Sequence, residues 1–201
     1  MSFPTLFARA LAPVAIAAAS VPASAQSADL AKVETHLSAV QSMTANFTQT
    51  DARNRSSSGT LQMKRPGRIR FQYGAGDLLL VGNNGKLTMV DYQVGQKSSW
   101  ALNRTPLGVL LSPNPNLKSA KIMPSNDPNV VVVRARDPNQ FGTLVLAFLR
   151  SPSAPGGLML YGWTAVDGQN KKTTVKLTNQ RYNVAVADGA FRYTEPKKRR
   201  R

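Results

Sequence analysis

The chain has no cysteine and a single histidine, His36, among its 201 residues. The first absence excludes disulfide frameworks, thiolate zinc sites, cysteine nucleophiles and a lipid anchor on an N-terminal cysteine. The second excludes a histidine metal cluster and leaves very few ways to build a catalytic triad. Acidic residues are also scarce: 10 Asp and Glu face 26 Lys and Arg, for a formal charge of +16. Those carboxylates are scattered. Asp51, Asp77, Asp91, Asp127, Asp137, Asp167 and Asp188 fall at expected turns, where Asp supports backbone geometry, so no glycosidase pair is indicated. Beyond the N-terminus, no apolar run approaches the ~20 residues of a membrane-spanning helix. What remains is 42% hydrophobic, enough for a packed interior, in a length that suits one domain.

The first 25 residues place Arg9 before an apolar run and end in the small-x-small pattern Ala23-Ser24-Ala25. This is the layout of a signal peptide cleaved before Gln26, and it implies export to an oxidising compartment. A fold exported without cysteine must hold by core packing alone.

Leu30, Val33, Leu37 and Val40 then recur at helical spacing, which predicts one amphipathic helix over 28–41 with Ser27 and Asp29 in its first turn. From Ala45 the period changes to two. Leu61 and Met63 alternate with polar neighbours, as do Ile69, Phe71 and Tyr73 with Arg68, Arg70 and Gln72. Gly82-Asn83-Asn84-Gly85 sits between 78–81 and 87–90 and predicts a tight hairpin turn. It is too short and too strand-bound to be a phosphate loop. Strands are further expected over 97–102, 130–136, 141–150, 158–166 and 171–178, with a last one at Phe191 and Tyr193. Between them, Thr105 and Pro106 are placed to start a short helix, Leu107 to Leu111, with no polar face to offer water. Such a segment must lie on apolar surface or cover a cavity. About ten or eleven strands without crossover helices indicate a mainly β, antiparallel fold.

The basic excess belongs to the strands and tail, since 22 of the 26 Lys and Arg follow residue 60. Arg68 and Arg70 interleaved with Phe71 and Tyr73 make the best nucleic-acid-like fragment, but an exported chain seldom meets nucleic acid, and a solvated strand face accounts for it equally. Acidic proteins or anionic lipid are the more reasonable partners of the charge. His36, beside the apolar stripe of the first helix, is expected at the boundary of the core rather than as a general base.

Several segments together resemble the periplasmic outer-membrane lipoprotein carrier family, the LolA-like proteins. They are Met43-Thr44-Ala45-Asn46-Phe47-Thr48-Gln49-Thr50, the run from Gly59 through Lys64-Arg65-Pro66-Gly67 to Tyr73, Asn84-Gly85-Lys86, Thr105-Pro106 with Leu110-Leu111, Asp167-Gly168-Gln169 and Phe191-Arg192-Tyr193. The order is the family's. Three places depart from its pattern: no proline follows Tyr73 closely, Leu87-Thr88-Met89-Val90-Asp91 has no aromatic residue, and the loop from Asp91 to Gln96 is short.

The resemblance implies an incomplete, open antiparallel β-barrel with an N-terminal helix and a short helical lid over an apolar cavity for lipoprotein acyl chains. It implies a single carrier domain over 26–196, with 1–25 a signal peptide and 197–201 a disordered basic tail. Arg65 is implied as the latch that holds the lid by hydrogen bonds to backbone carbonyls. Phe47, Leu61, Met63, Ile69, Phe71, Met89, Leu107 and Leu110 are expected to line the cavity, with Trp100 and Trp163 of ambiguous facing. The implied partners are acylated lipoproteins, an inner-membrane lipoprotein-releasing ABC transporter and an outer-membrane acceptor lipoprotein or the outer membrane itself. A periplasmic monomer is expected, without cofactor, metal, catalytic residue or nucleic acid. The competing reading is a lipid- or lipoprotein-sensing domain of the same architecture.

Overall fold

The computed structural model describes residues 23–112, 117, 119–136 and 142–197. An N-terminal helix α1 (Ala23–Ala39) is followed by β1 (Ser42–Thr50), β2 (Ser56–Lys64), β3 (Arg68–Tyr73), β4 (Leu78–Asn83), β5 (Lys86–Asp91) and β6 (Gln96–Ala101). A 3-10 turn (Leu102–Arg104) leads into the lid helix α2 (Leu107–Leu111), and β7 (Lys121–Met123), β8 (Val130–Ala135), β9 (Thr143–Arg150), β10 (Leu158–Val166) and β11 (Lys172–Tyr182) complete the sheet. Its order is β6-β5-β4-β3-β2-β1-β11-β10-β9-β8-β7, with every pairing antiparallel. The end strands β6 and β7 do not pair with each other, so the sheet is open.

Strand alternation divides the sheet into two faces. The inner face carries Met43, Ala45, Phe47, Leu61, Met63, Ile69 and Phe71 on one side and Val131, Val133, Leu144, Leu146 and Phe148 on the other. Val33 and Leu37 of α1, Val40 just after it, and Leu107, Val109, Leu110 and Leu111 of α2 join these residues in one buried cluster. Two glycines serve this geometry. Gly85 (φ +73°) follows Asn84 (φ +49°) in the two-residue turn between β4 and β5, the positive-φ pair that matches strand twist. Gly59 stands opposite Phe47, and a side chain there would meet the Gln72 carbonyl and the Phe47 ring.

Several expectations are corrected. The first helix starts at Ala23 and ends at Ala39, so Asp29 lies beyond its first turn, where its carboxylate receives both Arg150 Nη atoms at 2.8 Å. Residues 1–22 of the expected signal peptide and 198–201 of the expected tail lie outside the described residues. β7 is an additional strand, and β11 runs four residues beyond the predicted 171–178. Phe191 and Tyr193 form no strand. After Asn183 (φ +54°) the chain leaves the sheet, makes a 3-10 turn (Asp188–Phe191) and crosses the outer face as an extended strap to residue 197. There Val186 and Phe191 cover the outward-facing Leu79, Val81 and Val90 in a second buried cluster. Thr105 does not cap α2: its hydroxyl donates to the Leu102 carbonyl at 2.8 Å, and Pro106 occupies the N-cap. No helix among the described residues is long and apolar enough to cross a membrane.

Candidate functional site: a lidded apolar interior

The turn between β2 and β3 brings Arg65 beneath the lid, with 6% of its surface exposed. Its Nη1–H donates to the carbonyl of Leu37, near the end of α1. Its Nη2–H donates to the carbonyl of Leu110 in α2 at 2.9 Å. The planar guanidinium suits this task, because its fixed fork can reach two acceptors belonging to different elements while its charge strengthens both bonds. Burial lowers its pKa to about 10, so the group stays cationic at neutral pH. Nε–H is buried without a hydrogen-bond partner. A main-chain bond supports the same junction, the Gly67 amide donating to the Leu111 carbonyl at 3.1 Å. Helix α2 is only five residues long, and its last carbonyls need hydrogen-bond donors from elsewhere. Arg65 and Gly67 supply two of them.

Of the expected lining residues, Phe47, Leu61, Met63, Ile69, Phe71, Leu107 and Leu110 come together in the interior cluster. Phe47 and Phe71 meet edge to face at 5.1 Å between ring centres, and Trp163 approaches Phe71 in the same way at 6.1 Å. Tyr73 closes the group, 5.0 Å from Phe47, with its hydroxyl donated to Gln49 Oε1 at 2.9 Å; burial pushes the phenol up to about 12. Met89 is different. Its register with Leu80, itself opposite Phe71, puts it on the inner face, yet it is 37% exposed. Beside it Trp100, opposite Leu87, is 47% exposed. The inner face is thus sealed at its centre and open towards β5 and β6. Trp163 is inside and Trp100 is at the rim.

His36 was expected at the core boundary but is buried, with 1% of its surface exposed. Its ring lies edge-on to Phe148 at 5.2 Å and to Tyr182 at 5.3 Å, and Nδ1 is 2.8 Å from the Pro155 carbonyl. A carbonyl only accepts, so the neutral ring carries its proton on Nδ1. Desolvation lowers the imidazole pKa, opposed by backbone hydrogen bonding at Pro155 and Leu158 and aided by the nearby Arg65 charge. The loop that closes over it is 119 residues away in sequence, which is why helical spacing did not locate it inside.

Among the described residues, no three His, Cys, Asp or Glu side chains gather to hold a metal. The interior instead offers apolar side chains, four aromatic rings and a latch of backbone carbonyls on one buried cation. This arrangement can enclose an apolar ligand.

Several known proteins are similar to this chain. A curated outer-membrane lipoprotein carrier protein from Chromobacterium violaceum is 25% identical over 207 residues, spanning 97% of this chain and 94% of that protein. A LolA superfamily crystal structure from Nitrosomonas europaea superposes with a TM-score of 0.46 at 10% identity, covering 82% of this chain and 97% of that one. A chain of the Pseudomonas aeruginosa MucA/MucB complex gives 0.48 at 12% identity, covering 84% of this chain and 61% of its own length. Residues 38–194 match the family described as Outer membrane lipoprotein carrier protein LolA. Because that match begins at the end of α1 and takes in every strand, the lid and most of the strap, the chain belongs to the LolA family.

Proposed function

We propose that this protein is a periplasmic carrier that takes the acyl chains of lipoproteins into the space between the sheet and the lid. It receives them from an inner-membrane ABC transporter and gives them up at the outer membrane or to an acceptor there. In this reading residues 1–25 are the export signal and 26–196 the carrier domain. The observation that carries the proposal is Arg65, which ties α1 to α2 across an interior lined by apolar side chains. No reacting group is needed for such work, in keeping with a family of carriers rather than enzymes.

Magnitudes constrain the mechanism. A sixteen-carbon acyl chain gains about 12 kcal/mol on burial at ~0.8 kcal/mol per CH₂, and two or three chains would exceed the practical affinity ceiling of about 20 kcal/mol. Release is possible only if the empty protein recovers much of that energy. In the closed state Leu107, Val109, Leu110 and Leu111 fill the space against the sheet, so collapse of the lid offsets the loss of cargo contacts. The exposed Met89 and Trp100 lie where an entering chain would first touch the inner face.

Two measurements test this reading. Mass spectrometry of material extracted from the purified protein should find triacylated lipoprotein; free phospholipid alone would instead support a lipid-sensing module, and turnover of a bound ester would overturn both. Arg65→Leu should weaken the closed empty state and slow transfer of a lipoprotein to acceptor membranes. Wild-type transfer kinetics in that variant would remove the latch from the mechanism.

A further inference from the structure

The outer face of the sheet is covered over β3–β5 by the strap, but no described residue covers it over β7–β9. Alternation fixes what is exposed there. Val131, Val133 and Ala135 point into the interior cluster, so Val130, Val132 and Arg134 point outward. Register adds Lys121 directly opposite Arg134, Met123 opposite Val132, and Leu149 opposite Val130. The result is a two-part surface. One part is an open groove lined by Ser119, Lys121, Arg134, Arg136 and Thr143. The other is a half-buried apolar strip of Met123, Val130, Val132 and Leu149.

Two features set the groove apart from ordinary solvated charge. Like charges directly opposite on paired strands destabilise a sheet, yet Lys121 faces Arg134. Where the same juxtaposition recurs, Lys64 opposite Arg68, both cations pair with Asp188. Lys121, Arg134 and Arg136 enter none of the described ion pairs, and among the described residues no carboxylate lines their groove. The Ser119 hydroxyl donates to the Arg136 carbonyl at 2.6 Å, and the guanidinium forks, the ammonium and the Thr143 hydroxyl make a donor set suited to phosphate oxygens.

We propose that this edge of the outer face docks the protein on a bilayer surface rich in anionic phospholipid. Lys121, Arg134 and Arg136 take headgroup phosphates, and Met123, Val130, Val132 and Leu149 rest against the glycerol and upper acyl region. An extended anionic plane is the occupant because the attraction extends beyond the patch: the chain carries +16 overall, and among its described residues the docking edge holds one sign of charge only. A docking site for a folded protein would present a rim of mixed polarity. Since this surface lies on the opposite side of the sheet from the lidded interior, the protein can sit on a membrane with its cargo still enclosed. The inference does not depend on the identity of that cargo.

The test is co-sedimentation of the purified protein with vesicles of phosphatidylcholine, with and without phosphatidylglycerol. Binding is expected only with phosphatidylglycerol, and it should fall steeply between low salt and 0.5 M salt. Removing two cations at about 1 kcal/mol each, Lys121→Gln with Arg134→Gln, should weaken it about 30-fold. Lys86→Gln with Arg104→Gln, at the far side of the sheet, should change it less than about threefold. Because the first pair of substitutions also relieves a repulsion, its fold should be retained; Arg136→Gln alone gives an independent reading with a smaller loss. Wild-type protein that ignores phosphatidylglycerol vesicles, or equal losses in the two double variants, would overturn the proposal. So would release from the vesicles by inorganic phosphate at the concentration of the lipid phosphate, which would identify a site for free anions.

Discussion

The lid on the inner face and the strap on the outer face both close over apolar strands, and both are fastened by basic residues of the β2–β3 hairpin. The fastenings differ in kind. Arg65 turns inward and holds the lid through two carbonyls, with no counter-charge and with Nε–H unsatisfied. Lys64 and Arg68 turn outward to the Asp188 carboxylate, and Arg70 donates to the Ala190 and Arg192 carbonyls at 3.3 and 3.1 Å. Further along the strap the Tyr92 hydroxyl donates to the Thr194 carbonyl at 2.8 Å, Lys97 pairs with Glu195, and Arg68 lies 5.7 Å from the Phe191 ring centre. The strap is secured at many independent points, so losing one leaves the others. The lid depends on a few bonds converging on one side chain. A buried donor without a partner costs about 1–3 kcal/mol, so the closed lid is held with less than full satisfaction. The two closures thus differ in how many independent contacts hold them.

The largest expected effect tests the hold of the strap. Phe191→Ala removes the ring that covers Leu79, Val81 and Val90, and large-to-small changes of buried aromatics cost about 3–5 kcal/mol. Chemical denaturation should register a loss of that order. A loss below about 1 kcal/mol would mean that the strap is not part of the cooperative fold.

Arg65→Leu should sharpen the contrast from the other side. Its global effect should be smaller, about 1–2 kcal/mol, because two charge-assisted bonds are lost while a buried cation is also removed. Its local effect should be selective. Hydrogen exchange at the amide of Ser112, which donates to the Gly108 carbonyl, should accelerate, whereas that of Arg192, which donates to the Gly189 carbonyl in the strap, should not. Equal acceleration at both would show that lid and strap open as one unit.

This contrast was only partly legible in the sequence. Period-two alternation located β2, β3 and their inward residues because each of those strands has one face in the core, and the Asn-Gly pair fixed the β4–β5 turn. Arg65 was another matter: spacing alone leaves it a charged turn residue before Pro66, and its latch role came only through family resemblance. Phe191 and Tyr193 alternate as a strand does, but no neighbouring strand is there to pair with them; they bind across the sheet by side chains. Three-residue β7 is too short to show a period. Met89 obeys the alternation and reaches the correct face, but the sheet opens there, and opposite it β6 offers only Ser98.

A third prediction concerns the α1 end of the Arg65 bridge, where His36 sits one residue before Leu37, whose carbonyl Arg65 holds. The lowered imidazole pKa means that the unfolded chain takes up the proton first as pH falls. Stability is therefore full above about pH 6.5 and declines below it until the folded state also protonates, with a slope of at most about 1.4 kcal/mol per pH unit. His36→Gln keeps a donor for the Pro155 carbonyl without a titrating ring. It should lower stability at neutral pH by about 1 kcal/mol through lost ring packing, and flatten the decline below pH 6.5. An unchanged acid limb in the variant would assign that limb to the carboxylates.

The smallest effect belongs to Asp188, and it tests whether the strap really relies on many weak points. Its carboxyl is held below the usual range first by the hydrogen bond from Lys64, then by the charges of Arg68 and Lys64. The resulting stabilisation is present above the unfolded carboxylate range near pH 4 and is lost as pH falls through the lower folded value. Both cations and the carboxylate reach solvent, so salt screens them and the apolar cover of Phe191 persists without them. Asp188→Asn should lower the Tm slightly at low salt and not at all in 0.5 M salt. A salt-independent loss comparable to that of Phe191→Ala would make Asp188 a single fastening like Arg65, and the two closures would then be alike.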